Sequence, residues 1–266
     1  MNNYNQNNSN YNSSVNDFYS FSNNDSYNNS YNQPYNGMNS TASLNPLDNT
    51  TNQQKVVSRS FAIMFAVLLI SGITALISAG SIEGIIRHNI GLFYGALIAE
   101  VVVVLIANAA MSCRNEGLSA IMLLVYSIVN GFTLSIVFVV YELGSIVSIF
   151  FIAAAMFGVL GFIGITTKKD LSVLGSVGIM LLTGIILASV VNMFAGSARL
   201  DFGLTVLGLA VFIGLTMYDF QKIKRLGATC SDRDVNTFAM FGALQLYLDF
   251  INIFLKLLRL FANRKN

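Results

Sequence analysis

Long apolar runs are the feature that most constrains the fold of this chain. Several reach about 20 residues, the length that an α-helix needs to cross the hydrocarbon core of a membrane. Of the 266 residues, 54% are hydrophobic and 11% are charged, whereas a typical soluble domain has about 25% charged residues. Both prolines, Pro34 and Pro46, precede the first run, so no proline breaks a later helix. We therefore predict an all-α polytopic membrane protein.

Seven segments are predicted to span the membrane, and lysine and arginine set their orientation. The spans are expected at residues 59–80, 91–112, 118–141, 145–166, 173–196, 202–221 and 236–261. Nine basic residues then fall on the side of the N-terminus, which the positive-inside rule places in the cytoplasm: Lys55, Arg59, Arg114, Lys168, Lys169, Lys222, Lys224, Arg225 and Arg233. Seven spans put the C-terminus outside. A re-entrant last segment would instead bring four more basic residues to the cytoplasmic side, and the charge rule alone favours that alternative.

Residues 1–54 differ in composition from the rest of the chain. They are rich in Asn, Tyr, Ser and Gln, and they contain no Lys or Arg. A segment with so little aliphatic surface is predicted to be a disordered tail, followed by a seven-helix transmembrane domain at residues 55–266. The tail could be a binding arm or a dispensable extension, and the sequence does not separate these.

No catalytic set is found, so the chain is not predicted to be an enzyme or to require a cofactor. The sequence has no zinc motif of His and Glu and no phosphate-binding loop. An intramembrane aspartyl protease also uses two membrane aspartates, and Tyr218–Asp219 fits the first of its motifs. The segment LYLDF, however, lacks the glycines of the second motif, and no proline follows it.

Three acidic residues fall within predicted spans: Glu100, Asp219 and Asp249. A carboxylate at this depth costs a few kcal/mol, so each is expected to face a partner or water. Asp219 could belong to the membrane edge beside Lys222, but Glu100 and Asp249 lie well inside apolar sequence.

The last span carries a polar stripe. At about 100° per residue, five polar side chains fall within an arc of roughly 80°: Gln245, Asp249, Asn252, Lys256 and Arg259. Such a stripe belongs against other helices or a water cavity, so this helix is predicted to be central. Lys256 and Arg259 could extend to the membrane surface, or Arg259 could reach an interior acid such as Glu100.

Asp219 and Asp249 would form a proton-sensitive latch if they were adjacent. Two carboxyl groups in a dry interior share a proton until the pH rises or a cation arrives. Carboxylate oxygens are also the ligands that Ca²⁺ prefers, which makes this pair a candidate Ca²⁺ site. The depths of the two residues match only if the last helix begins outside the membrane, in the cytoplasm.

Three segments resemble the bacterial branch of the Bax inhibitor-1 family, also called the transmembrane Bax inhibitor motif family. They are FFIAAAMFGVLGFIGITTKKDLSVLGS, GLTMYDFQKIKRL and FGALQLYLDFINIFLKLLRLFANRK. The resemblance implies a seven-helix fold with an enclosed last helix, and an aspartate pair, here Asp219 and Asp249, that senses protons. It also implies latch or pore roles for Glu100, Arg114 and Arg259. Phe220 stands where the family usually has threonine.

The predicted function is a pH-sensitive Ca²⁺ leak channel in a bacterial cytoplasmic membrane. Its partners are the lipid bilayer, protons and Ca²⁺ as the permeant or bound ion, with no nucleic acid. The alternative is an interaction protein that modulates a membrane-bound protease or a stress response, with the tail as a possible handle. A coupled transporter is a third hypothesis, and it predicts uphill transport that a leak cannot produce.

Overall fold

The computed structural model describes residues 46–88, 90–112 and 115–265, which are largely helical. The helices are α1 (Pro46–His88), α2 (Ile90–Ser112), α3 (Glu116–Leu134), α4 (Ile136–Val140), α5 (Leu143–Thr166), α6 (Ser172–Ala195), α7 (Ala198–Thr229) and α8 (Val235–Phe261). The short helix α4 continues α3 across Ser135, which keeps helical dihedral angles. These two helices therefore act as one membrane segment.

Six segments are long and apolar enough to cross a membrane: Thr50–Ile85, Glu116–Val140, Leu143–Thr166, Ser172–Ala195, Ala198–Thr229 and Val235–Phe261. The remaining long helix, α2, has 23 residues and contains a shorter apolar stretch at Ile98–Met111. The predicted all-helical polytopic architecture is confirmed. The count of seven spans stays a prediction.

Helix α1 begins earlier than the predicted span, and one face of its N-terminal part is buried. Asn52, Val56 and Ser60 have exposed fractions of 2%, 0% and 0%. They pack against glycines: a Cβ at Gly227 would lie 2.8 Å from the Cα of Gln53. Residues 46–54, which composition assigned to the tail, are thus helical. The predicted disorder of the tail otherwise concerns residues 1–45, which lie outside the described residues.

Helix α8 lies at the centre of the bundle. In its most apolar stretch 67% of the residues are buried, compared with 17% in α6. It contacts α1, α2, α3, α5 and α7. The predicted central position of this helix is therefore observed.

Helix α6 lies at the periphery and, among the described helices, packs only on α7. Two glycines of α6 allow close approach. A Cβ at Gly175 would lie 2.7 Å from the ring of Tyr218, and one at Gly178 would lie 2.6 Å from Cδ2 of Leu215. Because α6 contacts α7 but not α8, a gap remains between α6 and α8.

The two ends of the bundle are identified by contacts between distant residues. At the Lys55 end, Gln53 donates to the carbonyl of Lys224, and Arg225 pairs with Asp170. At the C-terminal end, Arg259 pairs with Asp201 and the N–H of Lys265 donates to the carbonyl of Val140. Helix α8 runs unbroken between these ends. The re-entrant alternative for the last segment is therefore not observed.

Candidate functional site

The structure brings the carboxyl groups of Asp219 and Asp249 together. Asp219 is 8% exposed and Asp249 is 6% exposed, and the two side chains lie within hydrogen-bonding reach of each other. A hydrogen bond between two carboxyl groups requires one of them to carry a proton. The geometry therefore fits a shared proton held between α7 and α8.

The two aspartates reach the same depth because α7 is longer than the predicted span. It continues beyond residue 221 to Thr229 before the short connection to α8. Asp219 therefore lies about 15 Å from the end of α7, and Asp249 about 21 Å from the start of α8, at 1.5 Å per residue. Helices α7 and α8 are antiparallel neighbours, so both depths are measured from the same end of the bundle. The remaining difference in depth is small enough for the two side chains to span.

Thr216 and Lys222 complete the surroundings of the aspartate pair. Thr216 is buried one turn before Asp219 on α7, where its hydroxyl donates to the carbonyl of Phe212 at 2.7 Å and acts on the carboxyl of Asp249. Lys222 acts electrostatically on both carboxyl groups, and its Nζ lies 5.1 Å from the ring centre of Phe241. Within the described part of the chain, Oδ2 of Asp249 has no hydrogen-bond partner.

Sequence reasoning missed Thr216, although a signal was present. Residues three apart on a helix share one face, so a threonine three positions before a membrane aspartate points the same way.

Phe220, in contrast to Thr216, does not face the aspartate pair. The ring of Phe220 is buried between Phe61 and Phe157, with ring centres 5.2 and 5.1 Å away. The departure from the family's usual threonine thus lies away from the carboxyl groups.

The aspartate pair opens onto a cavity of about 750 Å³ between α6, α7 and α8. The polar residues that line it include both aspartates and five others: Ser189, Lys222, Gln245, Asn252 and Lys256. Four of the five residues in the predicted stripe of α8 therefore face this cavity. The wall contributed by α6 is mostly aliphatic.

The aspartate pair supplies fewer ligands than a tight Ca²⁺ site requires. Ca²⁺ takes six to eight oxygen ligands, and tight sites supply several carboxylates. The described residues contain no group of three or more His, Cys, Asp or Glu that could hold a metal ion. Asp219 and Asp249 supply two carboxylates, and the amides of Gln245 and Asn252 lie in the same cavity.

Glu100 lies in a second polar cluster, away from the aspartate pair. Its carboxylate accepts hydrogen bonds from α3: from Tyr126 at 3.3 Å, from Thr133 at 3.0 Å, and from Asn130. The hydroxyl of Tyr247 donates to Asn130 at 2.6 Å. Tyr247 and Asp249 differ by about 200° around α8, so the two polar clusters occupy opposite faces of that helix.

The two predicted basic partners have different outcomes. Arg259 forms an ion pair with Asp201 at the C-terminal end of the bundle, with side chains 45% and 39% exposed. The alternative contact between Arg259 and Glu100 is not observed, because Arg259 pairs with Asp201 and Glu100 accepts its hydrogen bonds from α3. Arg114 lies outside the described residues, so its predicted latch role stays a prediction.

Comparison with known proteins identifies the family. The family described as inhibitor of apoptosis-promoting Bax1 matches residues 53–266. The inner membrane protein YbhL of Escherichia coli K12 is 38% identical over 217 residues, which cover 80% of this chain and 93% of YbhL. An uncharacterised protein of Borreliella burgdorferi is 38% identical over 218 residues, covering 80% and 94%. An uncharacterised protein of Rickettsia prowazekii is 33% identical over 216 residues, covering 80% and 91%. This chain is therefore a bacterial multi-pass membrane protein that belongs to the Bax inhibitor-1 family.

Proposed function

We propose that this protein is a pH-sensitive Ca²⁺ leak channel of the bacterial cytoplasmic membrane. The observation that carries the proposal is the contact between Asp219 and Asp249 at the wall of a cavity of about 750 Å³. A buried pair of carboxyl groups is costly in a membrane, so its retention at one cavity favours a functional role.

The shared proton is proposed to act as the latch. With one proton, the pair carries a single negative charge and a hydrogen bond links α7 to α8. With no proton, two like charges repel at short range, and a cation that enters the cavity relieves the repulsion. A coupling of about 1–3 kcal/mol between the proton and the open state shifts populations about 5- to 150-fold.

Lys222 is proposed to moderate this switch. It acts electrostatically on both carboxyl groups, while its Nζ rests over the ring of Phe241. A fixed cation near the pair reduces the repulsion between the carboxylates and so limits how strongly they attract Ca²⁺. The positive-inside rule places this end of the bundle in the cytoplasm, where the latch would sense cytoplasmic pH.

Calcium flux into liposomes that contain the purified protein tests the proposal. Initial rates are measured from pH 5 to pH 8 for the wild type, Asp219→Asn and Asp249→Asn, with Asp170→Asn as the matched control. Asp170 is an exposed loop acid that pairs with Arg225 outside the cavity. We expect pH-dependent flux in the wild type and the control, and pH-insensitive flux in both other variants.

The other outcomes separate the competing hypotheses. Absence of flux above that of empty liposomes at every pH would exclude the channel and leave the interaction role. Uphill Ca²⁺ accumulation driven by a proton gradient would indicate a coupled transporter. Flux that keeps its full pH dependence in both Asn variants would show that other groups sense the proton.

A further inference from the structure

The cavity beside the aspartate pair continues along α8 toward the C-terminal end of the bundle. Gln245, Asp249, Asn252 and Lys256 all line it, and their spacing of three to four residues places them on one helix face. From Gln245 to Lys256 this face is about 16 Å long at 1.5 Å per residue. We call this space the α6–α8 groove, since α6 and α8 are its walls and α7 its floor.

Lys256 occupies the groove rather than the membrane surface. Its side chain is half-buried and lies against Gly208 of α7, where an added Cβ would be 3.1 Å from Cε and 3.4 Å from Nζ. Gly208 is ten residues from the start of α7, about 15 Å from the C-terminal end. Side chains on a helix lean toward its N-terminus, which directs Lys256 inward, toward the aspartates. Lys256 therefore does not extend to the membrane surface, which is one of the alternatives that the sequence allows.

The charge of Lys256 is not neutralised by a direct partner. Within the described residues it makes no hydrogen bond or ion pair, and the charged groups that act on it are Arg259 and Asp201. Asp201 already pairs with Arg259. The two cations, Lys256 and Arg259, and the one anion, Asp201, therefore leave a net positive charge beside this part of the groove.

We propose that Lys256 is an electrostatic barrier in the α6–α8 groove, which limits the passage of divalent cations between the aspartate pair and the C-terminal end. This inference rests on the proposed function, and it assigns the ion route to the groove between α6 and α8. The Coulomb energy of an ion near a fixed charge scales with the charge of the ion. The barrier therefore acts more strongly on Ca²⁺ than on K⁺.

Ion flux into liposomes tests the barrier. We expect Lys256→Met to raise Ca²⁺ flux about tenfold and K⁺ flux about threefold. The repulsion between Lys256 and K⁺ is half that between Lys256 and Ca²⁺, because K⁺ carries half the charge. Since the rate depends exponentially on the barrier energy, the increase for K⁺ is the square root of the increase for Ca²⁺. Lys256→Arg, which keeps the charge, should retain wild-type rates of both ions. Lys265→Met is the matched control, since Lys265 is an exposed lysine at the same end that does not line the groove.

The flux results also separate this inference from the proposed function. No flux in the wild type or in Lys256→Met would overturn the leak itself. Flux in the wild type that Lys256→Met leaves unchanged would overturn the barrier alone. An equal rise for Ca²⁺ and K⁺ would also contradict it, because that pattern indicates altered packing rather than lost charge.

A thiol at position 256 allows the charge to be changed in folded protein. Lys256→Cys is made with Cys113→Ser and Cys230→Ser, and is treated with methanethiosulfonate reagents of either charge. We expect both reagents to react, the cationic one restoring low Ca²⁺ flux and the anionic one leaving it high. Absence of reaction with either reagent would show that water does not reach the groove and would overturn the inference.

Discussion

At the scale of single residues, buried carboxyl groups are stabilised in two different ways. Glu100 accepts hydrogen bonds from three side chains of α3, an environment that satisfies a carboxylate. Asp219 and Asp249 instead face each other, and Oδ2 of Asp249 has no partner among the described residues. We propose that the first arrangement is structural and that the second changes with the number of protons it holds. This difference is why we place the switch at the aspartates.

Removal of the Tyr247 hydroxyl should be costly to stability. This hydroxyl is fully buried and lies 2.6 Å from both Ser71 Oγ and Asn130 Oδ1. Tyr247→Phe removes the hydroxyl that donates to the buried Oδ1 of Asn130, while the hydroxyl of Ser71 keeps its hydrogen bond to the carbonyl of Val67. We expect a loss of about 1–3 kcal/mol in the free energy of unfolding from the unsatisfied Asn130 oxygen. Thermal unfolding in detergent measures it. Tyr126→Phe is the matched control with a smaller expected loss, since its hydroxyl makes a longer bond of 3.3 Å to Glu100. Equal losses would contradict the network.

The loop acid Asp170 should not contribute to pH dependence in the physiological range. Hydrogen bonds from Ser172 and then from Arg225 lower the pKa of Asp170 from 3.8 to about 2. A lowered pKa stabilises the folded state above pH 3.8, and that contribution is lost as the pH falls through about 2. We therefore expect the pH-stability curves of Asp170→Asn and the wild type to be parallel from pH 5 to pH 8. Divergence in that range would show that Asp170 titrates there.

The sequence identifies the three acids but only part of their surroundings. A carboxyl group inside an apolar run is conspicuous because its burial is costly, so Glu100, Asp219 and Asp249 could be selected directly. Hydroxyl and amide side chains near these acids, such as Thr216 and Asn130, are common in membrane helices. Their role can be recognised only when the packing of the helices is known. The direction of Lys256 could not be predicted either, since it depends on Gly208 from another helix.

At the scale of elements, glycines determine how closely α5 and α7 approach. A Cβ at Gly164 would lie 2.6 Å from the carbonyl oxygen of Met217, whereas one at Gly158 would meet no atom within 4 Å. We expect Gly164→Ala to lower the free energy of unfolding by about 1–3 kcal/mol through overpacking. Gly158→Ala is the control and should be neutral or stabilising, given the helix propensity of alanine. Similar melting temperatures for the two variants would contradict the observed packing.

Most helix boundaries within the membrane could be predicted, but both ends of α1, which continues to His88 rather than to residue 80, and the C-terminal end of α7 could not. The spans predicted at 145–166 and 173–196 match α5 and α6 within two residues, because hydropathy changes sharply at the membrane surface. Helix α1 begins well before its predicted span, and α7 continues to Thr229. Those extensions are polar, and they are stabilised by packing against each other, as the contact of Gln53 with Gly227 shows. These helix ends could not be predicted from hydropathy, because hydropathy does not report contacts between polar helix ends.

At the scale of the whole molecule, α8 separates two polar clusters and connects the two ends of the bundle. The end near Lys168 is predicted to be cytoplasmic, and Lys265 lies at the opposite end. In right-side-out vesicles of a variant without native cysteines, we expect a membrane-impermeant maleimide to label Lys265→Cys directly. Lys168→Cys should be labelled only after permeabilisation. Labelling of both positions from one side would contradict the arrangement of the helices.

We propose that Asp219 and Asp249 act as one proton-sharing unit that controls Ca²⁺ entry. The most direct test is the pH profile of Ca²⁺ flux in a double-mutant cycle of Asp219→Asn, Asp249→Asn and the combined variant. Groups that act as a unit give non-additive effects. We therefore expect each single variant to lose the pH dependence completely and the combined variant to lose nothing more. A partial loss in each single variant that adds up in the combined variant would contradict the claim.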